Sequence, residues 1–279
     1  MTRYARPNTL DEAVHLLAEE SGTLLAGGTD FYPGLRDRPA SGNVIDISRI
    51  KEITGVIATA DEIRIGGLTT WRELLSSSLP RCYDGLKSAA REIGGIQIQN
   101  RGTVAGNLCN ASPAADSVPP LLALGAEVEL RSQAGSRRMA LAEFIVGNRK
   151  TRRRREEILS AVIVPRMLDD AASVFLKLGA RRYLVISIVM VAAVVKVNGG
   201  VVEEARIAVG ACSERAQRLK ALEQALAGAE AKPGMGRAVR AEHLEPLSPI
   251  DDVRATAAYR RDAALTLVAR ALDACVENG

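Results

Sequence analysis

Two stretches of this sequence carry residues able to hold an anion with main-chain and short polar groups. The longer, residues 101–119, reads RGTVAGNLCNASPAADSVP and gathers Gly102, Thr103, Gly106, Asn107, Asn110, Ser112 and Asp116 between apolar segments on both sides. Short donors beside glycines suit close approach to a ligand better than the Lys and Glu of an ordinary solvated loop. The shorter, residues 26–31, reads AGGTDF. Glycine admits positive φ, and successive amides in such a turn point into one concavity that binds phosphate oxygens. Taken alone, Gly-Gly-Thr-Asp is equally an ordinary turn closed by Asp30. Two such loops could clasp one anionic ligand between them.

Other chemistries lack their residues. Two histidines, His15 and His243, are too few for a His-based metal site, and no His-centred triad is expected. His15 falls within an apolar helical pattern and is expected to be partly buried and structural. Cys82, Cys109, Cys212 and Cys275 are widely separated with no C-x-x-C pair, so reduced thiols in a cytoplasmic protein are expected. The net charge of +4 is mild. Its excess gathers at residues 137–155, where Arg137, Arg138, Arg149, Lys150, Arg152, Arg153, Arg154 and Arg155 face Glu143. That run reads as a solvated, basic surface turn. A nucleic-acid site would add aromatic platforms, and three Phe, five Tyr and one Trp supply few, so no nucleic-acid partner is expected. The opening MTRYARPNTL has no apolar signal core, and the longest apolar run, residues 184–195, falls short of the ~20 residues that span a bilayer. No membrane span is expected.

The elements that must position these loops follow from periodicity. With 279 residues, 47% of them hydrophobic, the chain can form one large or two to three small domains. Thr9 and Glu12 form a capping box before a helix over residues 10–20. Strands are predicted at 23–26, ending abruptly at Gly27-Gly28, and at 44–47. A strand at 62–65 leads to a helix capped by Thr69 or Thr70 and carrying Trp71, Leu74 and Leu75. A longer helix over 84–93 stops at Gly94-Gly95. Beyond the polar stretch, which reads as a loop, Pro119-Pro120 begin a short helix and then a strand, and 157–164 is a strand closed by Pro165. The texture shifts at 167–172. Strands at 173–178, 184–197 and 201–210 follow, the last two joined by an Asn198-Gly199-Gly200 hairpin turn. Helices over 216–227 and 256–276 then favour a three-stranded antiparallel sheet packed under two helices.

In order along the chain, AGGTDF, IGGLTTWREL, NRGTVAGNLCNASPAADSVPPLLAL, EILSAVIVP, FLKLGAR and DDVRATAAYRR resemble the FAD-binding subunit of the molybdenum hydroxylases, the xanthine dehydrogenase and carbon monoxide dehydrogenase group. The resemblance spans essentially the whole chain. It implies an α+β fold: a two-part FAD-binding domain of the vanillyl-alcohol-oxidase-like type, residues 1–55 and 56–168, then a small C-terminal domain, residues 169–279, with a three-stranded antiparallel sheet and helices.

It also implies non-covalent FAD in a cleft. The pyrophosphate would be held by the backbone of Leu25, Ala26, Gly27, Gly28, Thr29 and Asp30 and by the loop from Thr103 through Gly106 to Asn107, with Phe31 also among the cofactor-binding residues. Asn110 and Ser112 would lie along the cleft, Asp116 on the ribose or adenine side, Leu159 against the adenine or flavin end, and Lys177 at the flavin ring. Ile93 and Gly94 would pack backbone against the dinucleotide. No catalytic acid or base is implied, since the flavin performs the redox step. The implied partners are a small subunit with two [2Fe-2S] clusters and a large subunit with the molybdenum cofactor, with electrons leaving FAD for NAD, oxygen or a quinone. A stand-alone FAD-dependent reductase of the same fold, or a non-catalytic nucleotide-binding relative, are the alternatives. Three features depart from the family pattern: Ala105 where glycine is common, the four arginines before Leu159, and Arg182-Tyr183-Leu184 where an acidic residue is frequent.

Overall fold

Thr9 starts the first helix as its spacing predicts: its hydroxyl accepts from the Glu12 amide at 3.2 Å, while Glu12 Oε2 accepts from the Asn8 amide at 2.8 Å. A computed structural model of the chain describes residues 3–277. Its first sheet is parallel, in the order β1-β3-β2. It comprises β1 (Tyr4–Ala5), α1 (Leu10–Glu20), β2 (Thr23–Leu25), α2 (Phe31–Leu35) and β3 (Val44–Asp46). Ala13, Val14 and Leu17 of α1 bury against Ile45, Ile47 and Ile50. His15 lies on the opposite, exposed face, beside Glu19 and Gln133, because its position falls between the buried positions of the helix.

The second sheet is antiparallel, in the order β4-β5-β10-β6-β7. Along the chain this region runs β4 (Val56–Ala58), β5 (Glu62–Gly66), α3 (Trp71–Ser76), α4 (Asp84–Glu92), α5 (Ile96–Gln99), α6 (Val104–Asn110), α7 (Val118–Ala123), β6 (Glu127–Ser132), β7 (Gly135–Ala140), α8 (Leu141–Phe144), β8 (Ile145–Gly147), β9 (Lys150–Thr151) and β10 (Ile158–Pro165). Central β10 is buried from Ile158 to Val164, and Trp71, Tyr83, Leu86, Leu108 and Leu121 fill the space beside it. The polar stretch is not loop throughout. Thr103 Oγ1 accepts from the Gly106 amide at 3.1 Å, and Val104, Ala105 and Leu108 bury one face, which is enough to wind residues 104–110 into α6. Ala105 is therefore helical and carries no positive φ.

The third sheet, β11-β12-β13-β14, is antiparallel and packs under two helices. It holds β11 (Ala172–Leu178), β12 (Val189–Asn198), β13 (Val201–Gly210), β14 (Gln217–Arg218), α9 (Lys220–Leu226) and α10 (Ala257–Glu277). Gly199 and Gly200 make the two-residue turn with φ of 57° and 80°, the backbone that a tight hairpin requires. Two elements differ from expectation. The three long strands gain a two-residue edge strand, β14, so α9 begins later than residue 216. β12 begins at Val189 rather than 184, since Leu184 takes a φ of 50° and leaves the extended region.

Arg260 of α10 ties this sheet together. It is 3% exposed, and its Nη1 donates to the carbonyls of Ile188 (2.6 Å) and Ala211 (3.1 Å) while Nη2 donates to Asp252 Oδ1 (2.7 Å). Arg260→Met is expected to lower unfolding free energy by about 3 kcal/mol, because it takes the guanidinium donor from the Ile188 and Ala211 carbonyls and one of several partners from Asp252. Urea unfolding measures this, and a loss below about 1 kcal/mol would mean that water replaces the guanidinium.

Candidate cofactor cleft

β2 ends at Leu25 and the chain turns sharply through residues 26–30. Gly28 takes a φ of 78°, and a Cβ there would come within 2.7 Å of the Tyr32 ring. At Gly27 a Cβ would stand 1.9 Å from the Arg101 carbonyl oxygen. The turn thus lies backbone on backbone against residues 101–102, and the two stretches singled out in the sequence meet. Trp71, 1% exposed, fixes the far side: its amide donates to Gly102 O at 3.2 Å. The cleft between the two stretches measures about 640 Å³, within the ~300–1,000 Å³ typical of ligand pockets.

From the first stretch the cleft is lined by Leu25, Ala26, Gly27, Gly28, Thr29, Asp30 and Phe31; from the second by Thr103, Gly106, Asn107 and Asn110; Ile93 and Leu159 complete the set. Leu159 is turned inward by a β-bulge, since Leu159 pairs with Leu130 but Ala161 with Glu129, leaving Ser160 as the extra residue. The bulge is anchored where Ser160 Oγ donates to Glu129 Oε1 at 2.7 Å and Ser160 O accepts from the Gly67 amide at 2.8 Å.

Four expected residues do not line the cleft. Gly94 sits behind Ile93, with Ile98 against its α-carbon. Ser112 faces a second groove of about 820 Å³, shared with Pro113 and Arg149. Asp116 and Lys177 face each other: Lys177 Nζ donates to Asp116 Oδ2 at 2.6 Å, Ser187 Oγ donates to Oδ1 at 2.6 Å, and both charged side chains are under a tenth exposed. Burial pushes the Asp116 carboxyl above its ordinary range, with Lys177 and Ser187 pulling against it. The lysine's charge is matched within the protein.

The two stretches contribute different polar groups. Among the described residues, the amides of Ala26, Gly27, Gly28, Thr29 and Asp30 donate to no protein acceptor. The second stretch was expected to lend its amides too, but four of them are already taken. Val104 donates to Thr69 O (3.0 Å), Ala105 to Gly67 O (3.0 Å), Gly106 to Thr103 Oγ1 (3.1 Å) and Asn107 to Thr103 O (3.0 Å), because α6 begins there. It offers side chains instead. Asn107 Oδ1 accepts from Ser117 Oγ at 2.6 Å, and Asn110 links Asp30 Oδ2 (3.2 Å) to Arg149 Nη1 (2.7 Å). Sequence reasoning missed Arg153, which lines the cleft although its neighbours made it look like solvated surface. Burial pushes the Cys109 thiol, also on the cleft, up to about 11. Among the described residues, no cluster of three or more His, Cys, Asp or Glu could hold a metal ion.

Residues 1–167 match the family described as the FAD binding domain in molybdopterin dehydrogenase, and residues 175–275 match the CO dehydrogenase flavoprotein C-terminal domain. The chain belongs to the FAD-binding subunits of the molybdenum hydroxylase family. It is 30% identical to the glyceraldehyde dehydrogenase medium chain of Sulfolobus acidocaldarius, covering 96% of each chain. It is also 30% identical to the xanthine dehydrogenase FAD-binding subunit of Escherichia coli O157:H7, over 98% of this chain and 95% of that one. A solved carbon monoxide dehydrogenase from Hydrogenophaga pseudoflava matches with a TM-score of 0.90 and 29% identity, over 98% of this chain and 96% of that chain.

As an FAD-dependent oxidoreductase subunit, the chain has a cleft that suits its cofactor: five unpaired amides for phosphate oxygens, glycines that allow close approach, and apolar walls for flat rings. Gly27→Ala must part the two stretches, because nothing at 1.9 Å can be accommodated. The flavin-to-protein ratio after purification is expected to fall at least ~10-fold, the ratio that loss of one charge-assisted hydrogen bond gives. A full flavin complement would show that the stretches separate at no cost to binding.

Proposed function

We propose that this subunit is the electron carrier of a three-part molybdenum hydroxylase. It would take electrons from the [2Fe-2S] clusters of a small partner subunit, supplied in turn by a large subunit bearing the molybdenum cofactor, and deliver them to NAD, oxygen or a quinone. The observation that carries this reading is the cleft at the junction of residues 26–30 and 101–103, whose first wall is a row of amides with no acceptor in the protein. Near-complete coverage of medium and FAD-binding subunits supports the subunit reading over a free-standing reductase. FAD supplies the redox chemistry when bound, and the protein supplies position and exclusion of water.

In this reading the amides of residues 26–30 hold the diphosphate, and Thr103, Asn107 and Asn110 donate from side chains. Leu25, Phe31, Ile93, Gly106 and Leu159 form the apolar and close-packed surfaces. Gly94, Ser112, Asp116 and Lys177 act from outside the cleft: Gly94 sets the turn that presents Ile93, Ser112 follows α6 on the side of the second groove, and the Asp116–Lys177 pair, with Ser187 on the same carboxylate, fixes the segment behind. The chain reads as three units, 1–55, 56–168 and 169–279. Four free cysteines accord with a cytoplasmic protein.

The test is purification of the tagged chain from its native cell. A visible band near ~450 nm from oxidised flavin, together with copurifying iron–sulfur and molybdenum subunits, is the expected result. A flavin-loaded chain that purifies without such partners and reduces a substrate directly would replace this reading with the free-standing reductase.

A further inference from the structure

The arginine run has no role in the family resemblance, and in the fold its members separate. Arg152, Arg154 and Arg155 are exposed, whereas Arg153 is half-buried and lines the cofactor cleft. Among the described residues that line it, Arg153 is the only cation and Asp30 the only carboxylate. Asp30 is engaged by Asn110, and among the described residues no ion pair joins it to Arg153.

The guanidinium is held in place rather than free to swing. Its Nη1 donates to the carbonyls of Glu157 (2.6 Å), Arg154 (3.2 Å) and Arg155 (3.5 Å). Those carbonyls are themselves fixed, because the buried Glu157 carboxylate accepts from Arg137 Nε (2.6 Å), Arg137 Nη2 (2.9 Å) and the Arg154 amide (2.7 Å). Nε and Nη2 of Arg153 donate to no acceptor among the described residues. The charge is felt within the cleft, where it is the influence that opposes the upward shift of Cys109. A clasped arginine with two unused donor groups, in the same cleft as five unused amides, is arranged for an anion with several oxygens.

We propose that Arg153 is a cofactor-binding residue, its guanidinium donating to the diphosphate of FAD alongside the amides of residues 26–30. The inference rests on the reading of this cleft as the FAD site and adds to it a cation that neutralises one phosphate charge. It also divides the run: one arginine binds, and the exposed ones belong to the surface.

The test is titration of the flavin-stripped full chain with FAD, by calorimetry, at low and high salt. Arg153→Gln should weaken FAD by ~10- to ~100-fold and flatten the salt dependence, as loss of a charge-assisted contact implies. Arg153→Lys should recover at least half of that loss on a logarithmic scale, since it keeps the charge, and Arg154→Gln should stay within ~3-fold of wild type. If Lys is as weak as Gln, the planar group acts by stacking and the phosphate contact is wrong. Equal affinity for wild type and Arg153→Gln also overturns it. Should Arg153→Gln fail to fold, the wild-type salt series decides: FAD affinity that does not change with salt overturns the proposal. A wild-type chain that takes up no FAD at all refutes the reading of the cleft itself, which is a different outcome from tight binding that ignores Arg153.

Discussion

Contact between two stretches of main chain sustains everything else in this molecule. Gly27 lies so close to the Arg101 carbonyl that no side chain can separate them, and that approach turns two sequence-distant bends into one cleft. Backbone hydrogen bonds anchor each side of the contact, and the Asn110–Asp30 side-chain bond joins the two. Gly67 and Thr69 carbonyls accept from Ala105 and Val104, the Gly67 amide donates to Ser160 O, and Ser160 belongs to β10 at the centre of the second sheet. From the other side, Ile47 N donates to Leu25 O and Tyr32 N to Gly28 O, fixing the turn to β3 and α2. Sheet register is thus transmitted to the cleft through bonds with little freedom to slip.

Charge is handled with the same economy. Buried or half-buried ionic groups have partners inside the protein: Asp116 with Lys177, Glu157 with Arg137, Glu129 with Arg64. Burial alone would push Glu157 up, but the Arg137 guanidinium and the Arg154 amide overcome it and hold the carboxyl below its ordinary range. Unmatched donors are concentrated instead at residues 26–30 and at Arg153.

Much of this was legible in the sequence, for identifiable reasons. α1 and the hairpin at Gly199–Gly200 follow from local signals, a capping threonine with helical periodicity and a Gly-Gly dipeptide between apolar runs. The family resemblance rests on the glycine-rich turns, whose composition is dictated by close approach. What was not legible depends on distant partners. α6 is short, three of its seven residues are Gly106, Asn107 and Asn110 with weak helix propensity, and its start depends on the distant Gly67 and Thr69 carbonyls that take its first amides. Lys177 and Asp116 lie 61 positions apart, so nothing local announces their pair. Arg153 has three arginine neighbours of identical type, and only the clasp by the carbonyls of residues 154–157 separates it from them.

The cleft also constrains what chemistry the protein can perform itself. Its titratable side chains are Asp30, Cys109 and Arg153. Arginine stays protonated at any physiological pH. Cys109, pushed up to about 11 by burial, stays a thiol near neutrality and is neither nucleophile nor base. Asp30 is tied to Asn110, which is tied to Arg149, so its carboxylate serves as a strut between the two walls. The cleft presents donors, close-packed glycines and apolar walls, a surface that suits a bound FAD, whose own ring system does the electron chemistry while the protein holds it still.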